Sequence, residues 1–348
     1  MDILHNPYRT AGTALPDLDA VPMPSVNASA AQALVARCPV AAETPLTDAV
    51  GLATSAGITN LWVKDERGRM GLGSFKALGA AYVVACDAEK GEARGRTYVT
   101  ASAGNHGMSV AAGAAAFGAA SVVYIADTVP ESFAARLRDQ GAEVVRAGAT
   151  YEDSMAAAQA AAETNGWDLL SDSSWPGYVD RPHRLMEGYL VLMAEAIAQI
   201  PRVPSHIFLQ AGVGGLAGAC AALAREVWGD VPCIVVVEPE AAPALKASIA
   251  AGRSVVTQGP VSEMGRLDCK EPSLIALKGL ARDADWFVTI SEAEGQAGAG
   301  AAMVQGLPST PSGAAGISAL LAAGDHRDAL GLDAQSSVLC ILSEGPEV

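Results

Sequence analysis

Basic residues are scarce in this chain: 23 Lys and Arg stand against 38 Asp and Glu, a formal net charge of −15. That balance excludes a nucleic-acid surface, which needs a basic footprint, and argues against docking on anionic lipid. Paired cysteines are also missing. Cys38, Cys86, Cys220, Cys233, Cys269 and Cys340 are scattered, with no CxxC and no Cys/His cluster at metal spacing. Reduced, mostly buried thiols and no metal are expected. The histidines, among them His5, His106, His183 and His206, show no metal spacing either. Long hydrophobic runs are absent: VAAGAAAFGAASVVYIA is broken by Gly and falls short of the roughly twenty apolar residues that span a bilayer. The opening MDILHNPYRT has no basic segment ahead of an apolar one, so no signal peptide is expected and the predicted location is cytoplasmic.

What is present is apolar. Half of the 348 residues are hydrophobic and 18% are charged, which suits a globular chain long enough for two lobes around a cleft. The part up to about Glu43 is rich in Pro, Ala and polar residues and reads as an irregular arm over the surface or a partner subunit. Beyond it, short β-branched runs alternate with Ala-rich helical runs, the sign of an α/β fold with parallel strands. Strands are predicted at 60–64, 97–100, 121–125, 143–146, 168–170, 206–210, 233–238, 286–290 and 338–342. Helices are predicted at 131–139, 151–164, 184–199, 216–227 and 292–304, the last with Ser291 as N-cap.

Ligands of open α/β sheets sit at the carboxyl ends of strands. Three Gly-containing segments fall there: TASAGNHG, QAGVGGLAG and LSEG. Lys76, in KDERGRMGLGSFKALGA, is flanked by Phe75, Ala77 and Leu78. A lysine buried among such neighbours has a depressed pKa and can form a Schiff base, the alternative being a lysine on a solvated face. In Ser102-Ala103-Gly104-Asn105-His106 the small residues allow close backbone approach, and a helix opening there would offer free N–H groups to a carboxylate. A plain strand-to-helix turn with Asn105 as cap is the alternative. Gly212-Val213-Gly214-Gly215-Leu216 reads as a phosphate cradle of backbone amides, and no Gly-Lys-Ser/Thr follows to make it a Walker loop. It also matches a dinucleotide fingerprint in part, with Glu238 at the end of the next strand as the acid, which keeps an NAD-linked reading open.

Taken together these residues resemble the fold-type II pyridoxal-phosphate (PLP) enzymes, the threonine dehydratase and tryptophan synthase β superfamily, and within it the diaminopropionate ammonia-lyases. The likeness runs from about Lys64 to Gly345. It rests on KDERGRMGLGSFKALGA, on SAGNHG, on Asp172-Ser173-Ser174-Trp175-Pro176-Gly177-Tyr178 followed by Glu187-Gly188-Tyr189, on Gln210–Gly214, on Met264–Pro272, on PSGAAG at 311–316 and on Ser343-Glu344-Gly345.

The resemblance implies an α/β fold of two lobes with open, twisted, mostly parallel sheets and helices on both faces. Residues 1–77 and 169–348 would form the large PLP-binding domain and 78–168 the smaller, substrate-side domain. Lys76 would carry the cofactor as an imine and act as base for the α-proton. Phe75 would lie beside the ring, Asn105 would hold O3′, Gly212, Val213, Gly214, Gly215 and Leu216 would bind the phosphate, and Ser343 would bond the pyridine nitrogen. Ser102, Ala103, Gly104 and His106 would receive the substrate carboxylate. Asp172 would polarise a leaving amine or hydroxyl, or else serve as a cap. Trp175 and Tyr178 fit a pocket wall or core.

Two departures from the family matter. Ala103 stands where enzymes acting on both enantiomers carry an Asp, so an L-selective eliminase is expected, with Lys76 as sole α-base. Arg266 falls where the family has a small residue, and could read a second substrate carboxylate or simply pair at the surface. The implied reaction is β-elimination on a small L-amino acid of the 2,3-diaminopropionate kind, giving a 2-oxo acid and ammonia. The alternatives are an L-serine, L-threonine or 3-hydroxyaspartate dehydratase, and a binding protein that has lost catalysis. A homodimer is the family's habit.

Overall fold

The β-branched runs form eleven strands among the residues that this computed structural model describes, 1–11 and 15–346. They are β1 (Asp2–His5), β2 (Leu46–Asp48), β3 (Asn60–Asp65), β4 (Thr97–Ala101), β5 (Ala120–Ile125), β6 (Glu143–Arg146), β7 (Asp168–Leu169), β8 (His206–Gln210), β9 (Cys233–Pro239), β10 (Trp286–Ile290) and β11 (Ser337–Leu342). Seven of them form one sheet in the order β1-β10-β9-β8-β11-β3-β2, and four form a second in the order β6-β5-β4-β7. The second sheet is parallel throughout, and only β1 and β2, at the two edges of the first, run antiparallel to their neighbours.

All nine predicted strands are present, with ends moved by a residue at most, and the α/β architecture with mostly parallel sheets is as expected. Parallel strands covered on both faces must be apolar all along, and β8 and β11 are buried at every position. Alternation still sorts their side chains. Ile207, Leu209, Leu339 and Ile341 pack on one face with Leu190 and Leu223. Phe208, Val338 and Cys340 pack on the other with Ile317 and Leu320. The smaller sheet is likewise covered twice, Val123 packing with Met108 and Leu137, and Val122 with Ala158 and Ala162.

The stretch before Glu43 departs from the irregular arm expected of it, although residues 12–14 of that arm lie outside the described residues. β1 extends the large sheet, and Leu15, Leu18 and Val21 are buried in the main core. The Asn6 amide donates to Leu280 O, Ala281 O and Ala284 O at the end of the helix Leu274–Asp283. Lys278 donates to Leu18 O (2.8 Å) and Val21 O (2.6 Å). These long-range bonds leave no periodicity in the sequence. Two other features prepare the site. A Cβ on Gly188 would overlap Leu78 O, so only glycine lets the helix Asp180–Gln199 lie against the Lys76 turn. Under the same turn, Lys64, Glu66, Arg69 and Glu195 form a buried charge cluster, each ion paired within 2.7 Å. Among the described residues no helix is long and apolar enough to cross a membrane.

Candidate active site

Lys76 lies in the short helical turn Phe75–Leu78. The turn is anchored to the end of β11, where Phe75 N–H donates to Ser343 O at 3.0 Å and Ser343 N–H to Gly313 O at 3.1 Å. Lys76 Nζ meets Asp172 Oδ2 at 2.5 Å, with 20% and 19% of the two side chains exposed. Its ammonium also lies 5.3 Å from the Phe75 ring centre and 5.8 Å from that of Tyr189. Burial is the largest influence on Lys76 and pulls its pKa down, but the Asp172 carboxylate, with Tyr189, outweighs it and holds the ammonium above the ordinary lysine range. The depressed pKa expected from the apolar flanks is therefore corrected. The flanks remove water, and a carboxylate from another part of the chain replaces it.

Asp172 is placed by its loop. Ser174 Oγ and Ser273 Oγ lie 2.7 Å apart, Leu274 N–H donates to Ser174 O, and Ser171 N–H donates to the Tyr178 hydroxyl. Trp175 and Tyr178 stack on one another with ring centres 4.3 Å apart, so they stiffen this loop rather than carry chemistry. Burial would raise the Asp172 pKa, yet Lys76 and then His106 hold the carboxyl below its usual range. His106 is buried, its Nε2 donating to Leu170 O at 2.8 Å, and burial lowers its pKa against the pull of the Asp172 carboxylate.

The helix Asn105–Ala116 begins at Asn105 with Gly104 as N-cap, so Asn105 is not the cap. Its first backbone bond runs from Met108 N–H to Gly104 O, and the N–H groups ahead of it have no carbonyl one turn back. Gly104 N–H donates to Ser102 Oγ at 3.3 Å, and Ala103 packs against the small-sheet cluster of Met108 and Leu137. The Asn105 amide donates to Glu344, which also accepts from Thr310 Oγ1. Arg266 Nε lies 3.6 Å from the same Glu344 carboxylate.

The glycine loop precedes the helix Gly215–Trp228, and here too the first backbone bond comes late, from Gly218 N–H to Gly214 O. The loop is pressed against its surroundings. A Cβ on Gly212 would stand 2.9 Å from Cys269 Sγ, and one on Gly214, at φ +98°, 2.9 Å from Ala276 Cβ. Ser273 N–H donates to Val213 O at 2.9 Å, which ties this loop to the one carrying Asp172. Such a cradle of backbone N–H at a helix start fits a phosphate group. With a lysine amine and a buried hydroxyl at Ser343, the donor set is that of a phosphorylated aldehyde with a ring nitrogen. Glu238 is not at a ligand position. Its buried carboxylate accepts from Leu245 N–H (2.7 Å) and Lys246 N–H (2.8 Å), and burial pushes its pKa up to about 8. The acid needed for the NAD-linked reading is thus already spent on capping.

Three residues escaped sequence reasoning. Tyr189 places its ring between Lys76 and the glycine loop, edge-on to Phe75 with ring centres 4.9 Å apart, and burial pushes its phenol up to about 12. Glu344 lay in the terminal motif without an assigned role. Tyr151, at the start of the helix Tyr151–Asn165, exposes 52% of its surface, yet burial of its hydroxyl and then the Asp172 carboxylate raise its pKa. No local pattern marks Tyr151, because the charge that acts on it comes from Asp172, beyond the end of its own helix.

The chain matches the family of pyridoxal-phosphate dependent enzymes over residues 39–344. It is 32% identical to the diaminopropionate ammonia-lyase of Salmonella typhimurium, over 89% of this chain and 86% of that one. It is 31% identical to mouse L-serine dehydratase/L-threonine deaminase, over 61% of this chain and 62% of that protein. The crystal structure of Escherichia coli diaminopropionate ammonia lyase in complex with an aminoacrylate-PLP azomethine reaction intermediate superimposes with a TM-score of 0.88 at 28% identity, over 99% of this chain and 93% of that one.

Proposed function

The chain belongs to the pyridoxal-phosphate dependent enzymes, and on that premise we propose that it removes the β-substituent and the α-amino group of a small L-amino acid, 2,3-diaminopropionate first among them, giving a 2-oxo acid and ammonia. The observation that carries this reading is the 2.5 Å pair between Lys76 Nζ and Asp172 Oδ2 in a chain that matches the pyridoxal-phosphate dependent enzymes. When bound, PLP supplies the electron sink.

The protein's own residues do the rest. Gly212–Leu216 would hold the phosphate on backbone N–H, Ser343 the ring nitrogen, Asn105 the phenolic oxygen and Lys76 the aldehyde carbon, with Phe75 beside the ring. Ser102, Ala103, Gly104 and His106 would receive the α-carboxylate at the start of their helix. Lys76 Nζ, once relieved of its extra proton, takes the α-proton. Asp172 is the second proton holder. Its carboxyl stays ionised because Lys76 is charged, and burial pushes it the other way. When the ammonium charge is lost, the largest opposition to burial goes with it, and Asp172 becomes better able to keep a proton for the departing β-amine. Ala103 offers a methyl group and no second base, which makes the site L-selective.

In this reading residues 1–77 and 169–348 hold the cofactor, 78–168 closes over the substrate, and the chain works as a homodimer. L-Serine and L-threonine dehydration is the second reading, favoured by the mouse relative. Ammonia and 2-oxo acid release from L-2,3-diaminopropionate against L-threonine separates the two. Borohydride reduction of the holoenzyme fixes the cofactor to the peptide containing Lys76, and a label found on another lysine rejects the assignment.

A further inference from the structure

Two glycines bring one tyrosine against the Lys76 turn. A Cβ on Gly188 would overlap Leu78 O, and one on Gly79 would stand 2.7 Å from Tyr189 Cε1 and 2.9 Å from its Oη. The ring so admitted lies edge-on to Phe75, with its centre 5.8 Å from Lys76 Nζ and its Cε2 3.6 Å from where a Cβ on Gly215 would stand. Tyr189 exposes 1% of its surface, yet its hydroxyl makes no hydrogen bond among the described residues. An unpaired buried hydroxyl costs stability, so its place beside a reactive amine points to a partner met in another state of the site. The other groups that act on Lys76 are Asp172, Cys269, His106 and Tyr151. Asp172, in the loop after β7, already holds the ammonium. His106, on the helix Asn105–Ala116, donates through Nε2 to Leu170 O. Cys269, packed on Gly212, offers only a thiol, which bonds weakly, and Tyr151 is half exposed. Tyr189 is left as the buried hydroxyl that is not engaged.

We infer that Tyr189 is a positioning residue, whose hydroxyl takes the Lys76 amine when that amine parts from Asp172 and holds it while it exchanges the α-proton. The inference rests on the β-elimination reading and deepens it. A phenolic oxygen accepts from an ammonium, and its O–H donates to a neutral amine, so one group serves both forms of Lys76. Burial pushes the phenol up to about 12 against the pull of the Lys76 ammonium, so Tyr189 keeps its proton throughout. No bond forms or breaks at Tyr189, and the α-proton passes to Lys76 alone.

Tyr189→Phe removes the oxygen and keeps the ring. The test compares it with the native protein in three ways: the melting temperature, the kinetics of the holoenzyme on L-2,3-diaminopropionate, L-serine and L-threonine, and the pH profile of PLP incorporation into apoprotein, trapped on Lys76 with borohydride. Y189F is expected to melt no lower than the native protein, because the hydroxyl it loses makes no bond. Its kcat falls about tenfold to a hundredfold with KM within about twofold, the pattern of a reacting group held less well. Burial lowers the Lys76 pKa, and Asp172 and then Tyr189 raise it, so without the oxygen the amine reacts at lower pH and the incorporation midpoint moves down, by less than in D172N. An unchanged kcat in Y189F overturns the inference and leaves β-elimination standing. So does a fall in kcat that comes with a lower melting temperature and an unmoved midpoint, which is the mark of packing alone. No turnover of any of the three substrates by the native enzyme overturns β-elimination. The incorporation midpoint then judges Tyr189: lowered in Y189F it upholds the role, and unmoved it rejects it.

Discussion

Lys64 and Lys76 come from one stretch of sequence and are both withdrawn from water, yet their surroundings differ in kind. Lys64 is fully buried and shares its carboxylate: Glu195 Oε2 lies 2.7 Å from Lys64 Nζ and 2.6 Å from Arg69 Nη2. Thr44 O accepts from Lys64 at 2.6 Å, and Glu66 closes the group on the Arg69 side. Burial lowers the Lys64 pKa, and the divided carboxylate does not restore it. Lys76 has Asp172 as its one ion-pair partner among the described residues, keeps a fifth of its side chain open, and its pKa is raised. The lesson concerns redundancy. A cation with several partners in a closed cluster keeps its place whichever contact is disturbed, and serves the fold. A cation with one carboxylate at an open cleft can change partner without disturbing the fold, and that is what chemistry requires.

The sharpest way to break this contrast is to remove each lysine site in turn. Lys76→Ala is expected to cost at least about 10³-fold in turnover, the size of effect seen when a positioned acid–base group is lost. Its melting temperature should stay close to that of the native protein, because the pair it breaks is partly open to solvent. 2-Oxo acid release and a thermal melt on the same preparation check both halves. Glu195→Ala does the reverse. It leaves Lys64 and Arg69 buried with Glu66 as the remaining carboxylate, and a destabilisation of about 3–5 kcal/mol is expected. Denaturant titration measures it, and an unshifted midpoint would show that the cluster is dispensable.

Asp172→Asn sharpens the comparison at the second proton holder. Turnover should fall about 10²-fold or more, and the pH dependence of cofactor incorporation into apoprotein should move down. The sign follows from the pair. Asp172 holds the Lys76 pKa up, so without that charge burial lowers it and the amine becomes reactive at lower pH. An incorporation profile that stays in place would deny the electrostatic link. The smallest effect concerns Glu238, a buried carboxyl outside both groups. Its pKa in the folded chain is raised from 4.5 to about 8, so over that window the native state holds a proton that the unfolded state has released. Stability therefore falls as pH rises between those values, and Glu238→Gln should flatten that slope in urea titrations at a series of pH values.

Much of the fold was legible because it is written locally. β8 and β11 are uninterrupted apolar runs, which is what strands buried on both faces require. Ser291 caps the helix Glu292–Val304 as its spacing suggested, in a capping box with Glu294. β1 and β2 went unread because they are short edge strands, partly exposed, with no alternation to betray them. At the candidate site the glycine loops and Lys76 stood out by composition. The partners Asp172 and Lys76 were each recognisable, but their contact was not, since it joins a short turn to a loop 96 residues further along the chain. Tyr151 was invisible for a related reason: it opens an ordinary helix of the smaller sheet, and nothing within that helix points to Asp172.

By itself the sequence determined the alternation of strands and helices, the glycine turns where backbone must come close, and the lysine whose neighbours strip it of water. Those are properties of residues near one another along the chain, where periodicity and backbone freedom act directly. Only the tertiary structure decided that this lysine stays charged, that Asn105 meets Glu344, and that Arg266 comes against Gly104. Electrostatic energy depends on distance through space and on the water excluded between groups, and neither quantity exists until the two sheets have closed on each other.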